Sequence, residues 1–125
     1  MDVDARIAEL TQKMLRKKLF VLLSKPLVSP EKLKPSLPAH LEYMIALEKR
    51  GVVFASGPLS DGEGLPTGHG LTILRAKDAR EARAIAEGDP FFANGLRTFE
   101  LKEWTIMEGT LTVRVNLSDQ SVEVP

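Results

Sequence analysis

The sequence predicts an α+β fold, a ferredoxin-like βαββαβ sandwich with an extra helix before it and an extra strand after it. Three observations carry that prediction. Apolar periodicity switches between helical and extended spacing in the order helix, strand, helix, strand, strand, helix, strand, strand. The two central helical patterns each stop at a glycine, Gly51 and Gly88. The length, 125 residues, fits one domain that buries roughly two-thirds of its unfolded surface.

Val3, Ile7, Leu10 and Met14 form one stripe of an amphipathic helix. Arg16, Lys17 and Lys18 would close that helix as a solvated basic cluster that complements its dipole. Leu19 to Leu23 is apolar on both alternating faces, which suits a central strand covered on both sides. Lys25-Pro26 ends it, and Pro26, Pro30, Pro35 and Pro38 mark a loop. A second helix is expected from an N-cap at Ser36 to Arg50, with His40, Tyr43, Met44 and Leu47 along one face and Gly51 as a left-handed stop.

Val52 to Ser56 reads as a strand closed by Gly57-Pro58. The segment from Pro58 to Gly70 holds glycines and prolines with little apolar content and reads as a loop; its part from Leu59 to Gly68 is long enough to act as a lid. Leu71 to Arg75 is the next strand. Asp78 and Glu81 have capping-box spacing ahead of a helix whose face carries Ala79, Ala82, Ile85 and Ala86. Asp89-Pro90 forces an extended residue at the end of that helix, and Asn94-Gly95 is a turn. Arg97 to Met107 is a long strand in which Phe99 and Leu101 share one face and Trp104 and Ile106 the other, with a bulge expected near Lys102-Glu103. Leu111, Val113, Val115 and Leu117 alternate with polar residues, the pattern of a last strand with one buried face. The expected organisation is a single domain: a helical extension over 1–17, a core over 18–108 and a strand extension over 109–125.

Composition narrows the function classes. Seventeen basic residues balance seventeen acidic ones, which argues against a general nucleic-acid binder. There is no cysteine, so disulfides, thiolate metal sites and cysteine nucleophiles are excluded. The longest apolar run is Leu19 to Leu23, far short of the roughly 20 residues that span a bilayer, and the acidic start lacks a signal-peptide core. A cytoplasmic protein with no membrane partner is the expectation.

Only two histidines are present, His40 and His69. His40 lies in a helical first turn beside the apolar stripe and is the first candidate for proton exchange near neutrality. The plainer reading is a histidine that only hydrogen-bonds the backbone. Asp89 is an unusual carboxylate beside Pro90, Phe91 and Phe92, unless it is paired or caps a turn. No spacing rule brings His40 and Asp89 together. His69, between Gly68 and Gly70, reads as an exposed loop histidine. Asp61, Glu63 and His69 match no metal-ligand spacing, and the glycines from Gly62 to Gly70 form no phosphate loop. Arg75 and Arg97 are each able to hold a carboxylate in bidentate fashion, although each reads first as a surface residue. Trp104 reads as a core or interface anchor.

Pro38-Ala39-His40-Leu41 opening a core helix, Ala55-Ser56-Gly57-Pro58 ending a strand, Asp89-Pro90-Phe91 after the second helix, Gly95-Leu96, and Trp104 on the last core strand together resemble the YCII-related family. The likeness runs from Leu19 to Trp104, and it lies in the order and spacing of these segments. It implies a dimeric α/β barrel similar to the muconolactone isomerases, with a His–Asp pair, here His40 and Asp89, lining a pocket. Ser56, Gly57, Pro58, Phe91 and Trp104 are the expected pocket residues. Some relatives are cofactor-free enzymes acting on lactones or chlorinated ring-cleavage products. The resemblance therefore implies a lyase or isomerase that needs no cofactor or metal and moves a proton on a small carbonyl, lactone or chlorinated metabolite. A non-catalytic small-molecule-binding module and a structural or interaction protein are the alternatives. A homodimer or higher homo-oligomer is expected, because helices cover only one face of such a sheet. The helix before Leu19 and the strand after Gly109 depart from the family pattern.

Overall fold

The computed structural model describes residues 2–125. By backbone contacts the chain divides into two units: Lys17–Thr105, and the segment up to Arg16 together with Ile106–Pro125.

The larger unit is the expected βαββαβ core. Strands β1 (Lys17–Pro26), β2 (Val53–Ser60), β3 (Pro66–Leu74) and β4 (Arg97–Ile106) form one sheet in the order β2-β3-β1-β4. Both β1–β3 and β2–β3 are antiparallel. Helix α3 (Leu37–Lys49) packs against β2 and helix α4 (Ala79–Glu87) against β1. Leu22, Leu74 and Ala86 form the buried centre, with Val52, Val53, Ile85, Phe92, Phe99 and Leu101 packed around it. These residues define the helix-covered face of the sheet. Alternation then places Val21, Leu23, Leu71 and Ile73 on the other face.

Several expectations need correction. The proline-rich stretch after β1 is not a plain loop: it holds a one-turn helix α2 (Pro30–Leu33) and a 3-10 turn, Lys34–Ser36. Ser36 does stand at the N-cap of the next helix, as expected, but its backbone is already helical and its side chain makes no capping bond. Prolines at the first helical positions are compatible with both turns, because no intrahelical N–H is needed there. Gly51 does take the left-handed conformation, φ 75°.

The expected lid is mostly strand. β2 runs through Gly57-Pro58 to Ser60, and β3 starts at Pro66, not Leu71. Pro58 is tolerated because β2 is an edge strand. The remaining turn is organised by Asp61, whose Oδ1 accepts the backbone N–H groups of Glu63 and Leu65 at 2.8 and 3.0 Å.

In the smaller unit, α1 (Val3–Thr11) is shorter than expected, and Val3, Ile7 and Leu10 stay exposed. Lys17 and Lys18 open β1 and do not close the helix. The last segment is not one strand with a buried face. Only β5 (Arg114–Asn116) is extended there, and it pairs with β6 (Ser121–Glu123) as a separate ribbon. Leu111, Val113, Val115 and Leu117 are all exposed, so the alternation has no core to face. No described helix is long and apolar enough to cross a membrane.

Candidate active site

The site is assembled by the ends of three helices. Asp78 caps α4 by accepting the Glu81 N–H at 2.9 Å, and Gly88 ends that helix. Asp89 follows in an extended conformation, φ −68° and ψ 127°, and caps the short helix α5 (Pro90–Ala93). Its Oδ1 accepts the Phe91 N–H at 2.9 Å. Tyr43, one turn beyond His40 on α3, donates to the Ile85 carbonyl near the end of α4. This clamp needs Gly88: a Cβ there would stand 2.5 Å from the Tyr43 hydroxyl oxygen. Together these contacts aim Asp89 at α3.

Asp89 is buried, and its Oδ2 lies 2.8 Å from His40 Nδ1. The pair bridges 49 residues of sequence. A carboxylate only accepts hydrogen bonds, so Nδ1–H donates to it. In the neutral ring this leaves Nε2 as the atom with a free lone pair. Phe91 stacks on the imidazole, with centroids 4.4 Å apart and planes 21° apart. Asp89 thus fixes the tautomer, while Asp89 and Phe91 hold the ring orientation.

His40 and Asp89 line a cavity of about 860 Å³ between α3 and the sheet. Met44 and Ile45 supply apolar wall on the helix side, and Ser56, Gly57 and Pro58 form the β2 side. The inward position of Ser56 has a specific cause. Val53 pairs with Leu74 but Ala55 pairs with Ile73, so β2 carries one extra residue at Phe54. That bulge reverses the alternation. Ser56 pairs with Thr72, and its Oγ lies 2.7 Å from Thr72 Oγ1 on the cavity wall.

Of the expected pocket residues, Ser56, Gly57, Pro58 and Phe91 line this cavity. Trp104 does not: it lies far along β4 and is exposed. Phe99 and Leu101 pack on the helix-side core, so alternation directs Trp104 to the other face. His69 lies on β3, not in a loop; it is exposed and contributes to the cavity rim. Asp61 and Glu63 are engaged at the hairpin turn, and the described residues hold no cluster of three potential metal ligands. Arg75 is used structurally, donating to the Gly51 carbonyl at 3.1 Å and lying 5.1 Å from the Phe54 ring centroid.

Two site residues are undervalued by sequence reasoning. Tyr43 reads only as part of an apolar stripe, although its spacing from His40 places both on one helix face. Burial pushes its phenol up from the ordinary tyrosine value, the charge of Asp89 adds to that, and Arg50 opposes it. Arg97 reads as surface but is half-buried and lines the cavity. Burial lowers its pKa from the ordinary arginine value, and Asp89 counteracts part of that. Spacing carries no signal for Arg97, because β1 and β3 supply its surroundings.

A family model for the YCII-related domain matches residues 17–105. Among solved structures, the chain is similar to 5-chloro-2-hydroxyhydroquinone dehydrochlorinase (TftG) from Burkholderia phenoliruptrix AC1100, determined in complex with 2,5-dihydroxybenzoquinone. The two are 21% identical with a TM-score of 0.50, over 69% of this chain and 92% of that one, a likeness of fold. No curated protein matches. The family match spans the four strands but for the last residue of β4, both packing helices and the His40–Asp89 pair, and on that ground the chain belongs to the YCII-related family.

Proposed function

We propose that the chain is a cofactor-independent lyase or isomerase in which His40 moves a proton on a small carbonyl-containing, lactone or chlorinated ring-cleavage substrate. The observation that carries this reading is the buried Asp89 carboxylate 2.8 Å from His40 Nδ1 in a cavity wall. His40 Nε2 takes a proton from carbon or oxygen next to the conjugated carbonyl. The electron pair left behind enters the π system. In an isomerase His40 returns the proton at another carbon; in a lyase the electrons expel chloride or a carboxylate. Asp89 stabilises the imidazolium formed in the step and keeps Nε2 turned to the substrate. Ser56 and Thr72 offer hydroxyls to substrate oxygens. The dehydrochlorinase of similar fold, with its quinone ligand, supports a small oxygenated ring as the substrate type. The reading includes a homodimer built through the sheet face away from the helices.

Positioned general acid–base catalysis contributes about 10²–10⁴ in rate. His40→Ala should therefore lower turnover by that factor in a chain that still folds, with a lowered thermal transition because the buried Asp89 Oδ2 loses its partner. A panel of chlorinated hydroquinols and unsaturated lactones, followed by chloride release and by absorbance, provides the assay. An unchanged rate in a folded His40→Ala variant on a turned-over substrate would overturn the assignment. Asp89→Asn should lower turnover too, since the amide no longer stabilises the imidazolium.

A further inference from the structure

The proton-transfer reading leaves two charged residues of the cavity lining without a task, Glu48 near the end of α3 and Arg97 on β4. Arg97 is the lining residue with a permanent positive charge. It extends from β4 across the sheet floor, where its Nη2 donates to Ser24 Oγ at 3.0 Å and to the Gly68 carbonyl at 2.8 Å. Both hydrogens of Nη2 are thereby committed. A guanidinium has five N–H groups, so three remain, on Nη1 and Nε. Among the described residues they have no protein acceptor, and no carboxylate lies within ion-pair distance of Arg97.

The absence of a partner is not for want of a carboxylate nearby. Asp89 is close enough for its charge to act on Arg97. Its oxygens are turned to His40 Nδ1 and the Phe91 N–H, each accepting one bond, and neither lies within ion-pair distance of Arg97. Space for the serine that anchors the guanidinium is also built in. Gly70 faces Ser24 across the β1–β3 ladder, and a Cβ there would stand 2.8 Å from Ser24 Oγ and 3.6 Å from Arg97 Nη2. A half-buried cation with free donors, held in place by one nitrogen and lining the cavity that also contains a proton-transfer pair, suits an anionic ligand.

We infer that Arg97 is a specificity residue, selecting substrates that carry an anionic oxygen (a carboxylate or an ionised enol of a quinone) and holding that oxygen at the sheet floor while His40 works from the helix side. The inference rests on the proposed reaction for the same cavity and narrows its substrates to anions. It also gives the negative charge that builds up on proton removal a fixed positive group nearby.

The probe is 2,5-dihydroxybenzoquinone, whose hydroxyls are vinylogous carboxylic acids and are ionised at neutral pH. Its uncharged comparator is 2,5-dimethoxybenzoquinone. Binding of both is measured by calorimetry to the full chain and to Arg97→Gln and Arg97→Lys. The wild-type chain should bind the anion more tightly than the ether. Arg97→Gln should weaken the anion roughly ten- to hundredfold, as for loss of hydrogen bonds to a charged group, and leave the ether unchanged. Arg97→Lys should retain part of the preference through its charge. A wild-type chain that binds the anion no more tightly than the ether, including no binding of either, overturns the inference without recourse to a variant. Equal weakening of both probes in Arg97→Gln also overturns it, since that is the signature of a residue that only ties strands together. The two readings fail separately. Lost turnover in His40→Ala with no anion preference removes Arg97 alone; an Arg97-dependent preference with full turnover in His40→Ala removes proton transfer alone.

Discussion

Asp89 acts through both of its oxygens. One caps α5 and the other holds His40, so a single buried carboxylate sets a backbone turn and a side-chain tautomer together. Neither residue is decisive in isolation, since a first-turn histidine and an Asp-Pro turn both have ordinary explanations. The chain joins them across 49 positions through the packing of α3 on α5. Tyr43 is the hinge of that packing. Its hydroxyl bonds the Ile85 carbonyl, and burial and Asp89 raise its pKa. The sign of the resulting pH effect is definite. A folded-state pKa above the unfolded value of about 10.0 means that the stabilisation is complete below that pH and fades as pH climbs through the raised value. Tyr43→Phe should cost roughly 1 kcal/mol near neutrality through the lost hydrogen bond. The gap to wild type should narrow above pH 10.0. Denaturant titrations in both ranges check this; a gap independent of pH would show that the fold does not hold the phenol protonated.

Elements were legible where local chemistry and tertiary need agree. The caps at Asp78 and Gly51, the Asp89-Pro90 break and the βαββαβ order all read directly. The misreadings share a cause, which is that pairing overrides composition. Pro58 and Gly70 look like loop residues, yet they face each other in the β2–β3 ladder. Ser56 points into the cavity only because the Phe54 bulge inverts its strand, and a bulge leaves no periodic mark over so short a run. The converse holds after Gly109, where good alternation finds no face to pack on. The hairpin is thus a wall of the cavity, and its turn depends on Asp61. Asp61→Ala removes the acceptor for the Glu63 and Leu65 amides. Hydrogen exchange at those two amides should quicken by about an order of magnitude, while amides in the ladder at Thr72 keep their protection. Exchange that rises equally through Thr72 would mean that the hairpin opens as one body.

Helices cover one side of the four-stranded sheet; the other side presents a row that is apolar by alternation, with Leu19 and Ile73 buried and the end at Leu23 open. Leu23 pairs with Leu71 there, and Leu23 is still 37% exposed. Leu59, near the end of β2, is exposed to the same degree. A shallow cavity joins Leu23, Leu59, Thr98 and Glu100 on that side. With equal numbers of acidic and basic residues, the chain has little net repulsion to keep two copies apart. Burying such a row against its own copy satisfies both molecules by a two-fold arrangement, in which each residue meets a surface of the same kind. Leu23 is the place to test it, because its side chain leaves the core untouched. The wild-type chain should sediment as a dimer at micromolar concentration. Leu23→Glu should place a carboxylate from each copy in an apolar seam and shift the equilibrium to monomer, with an unchanged circular dichroism spectrum. A wild-type chain that sediments as a monomer contradicts the dimer outright. A Leu23→Glu variant that stays dimeric moves the interface off this face, and with it the expectation that the family's paired-sheet arrangement holds in this member.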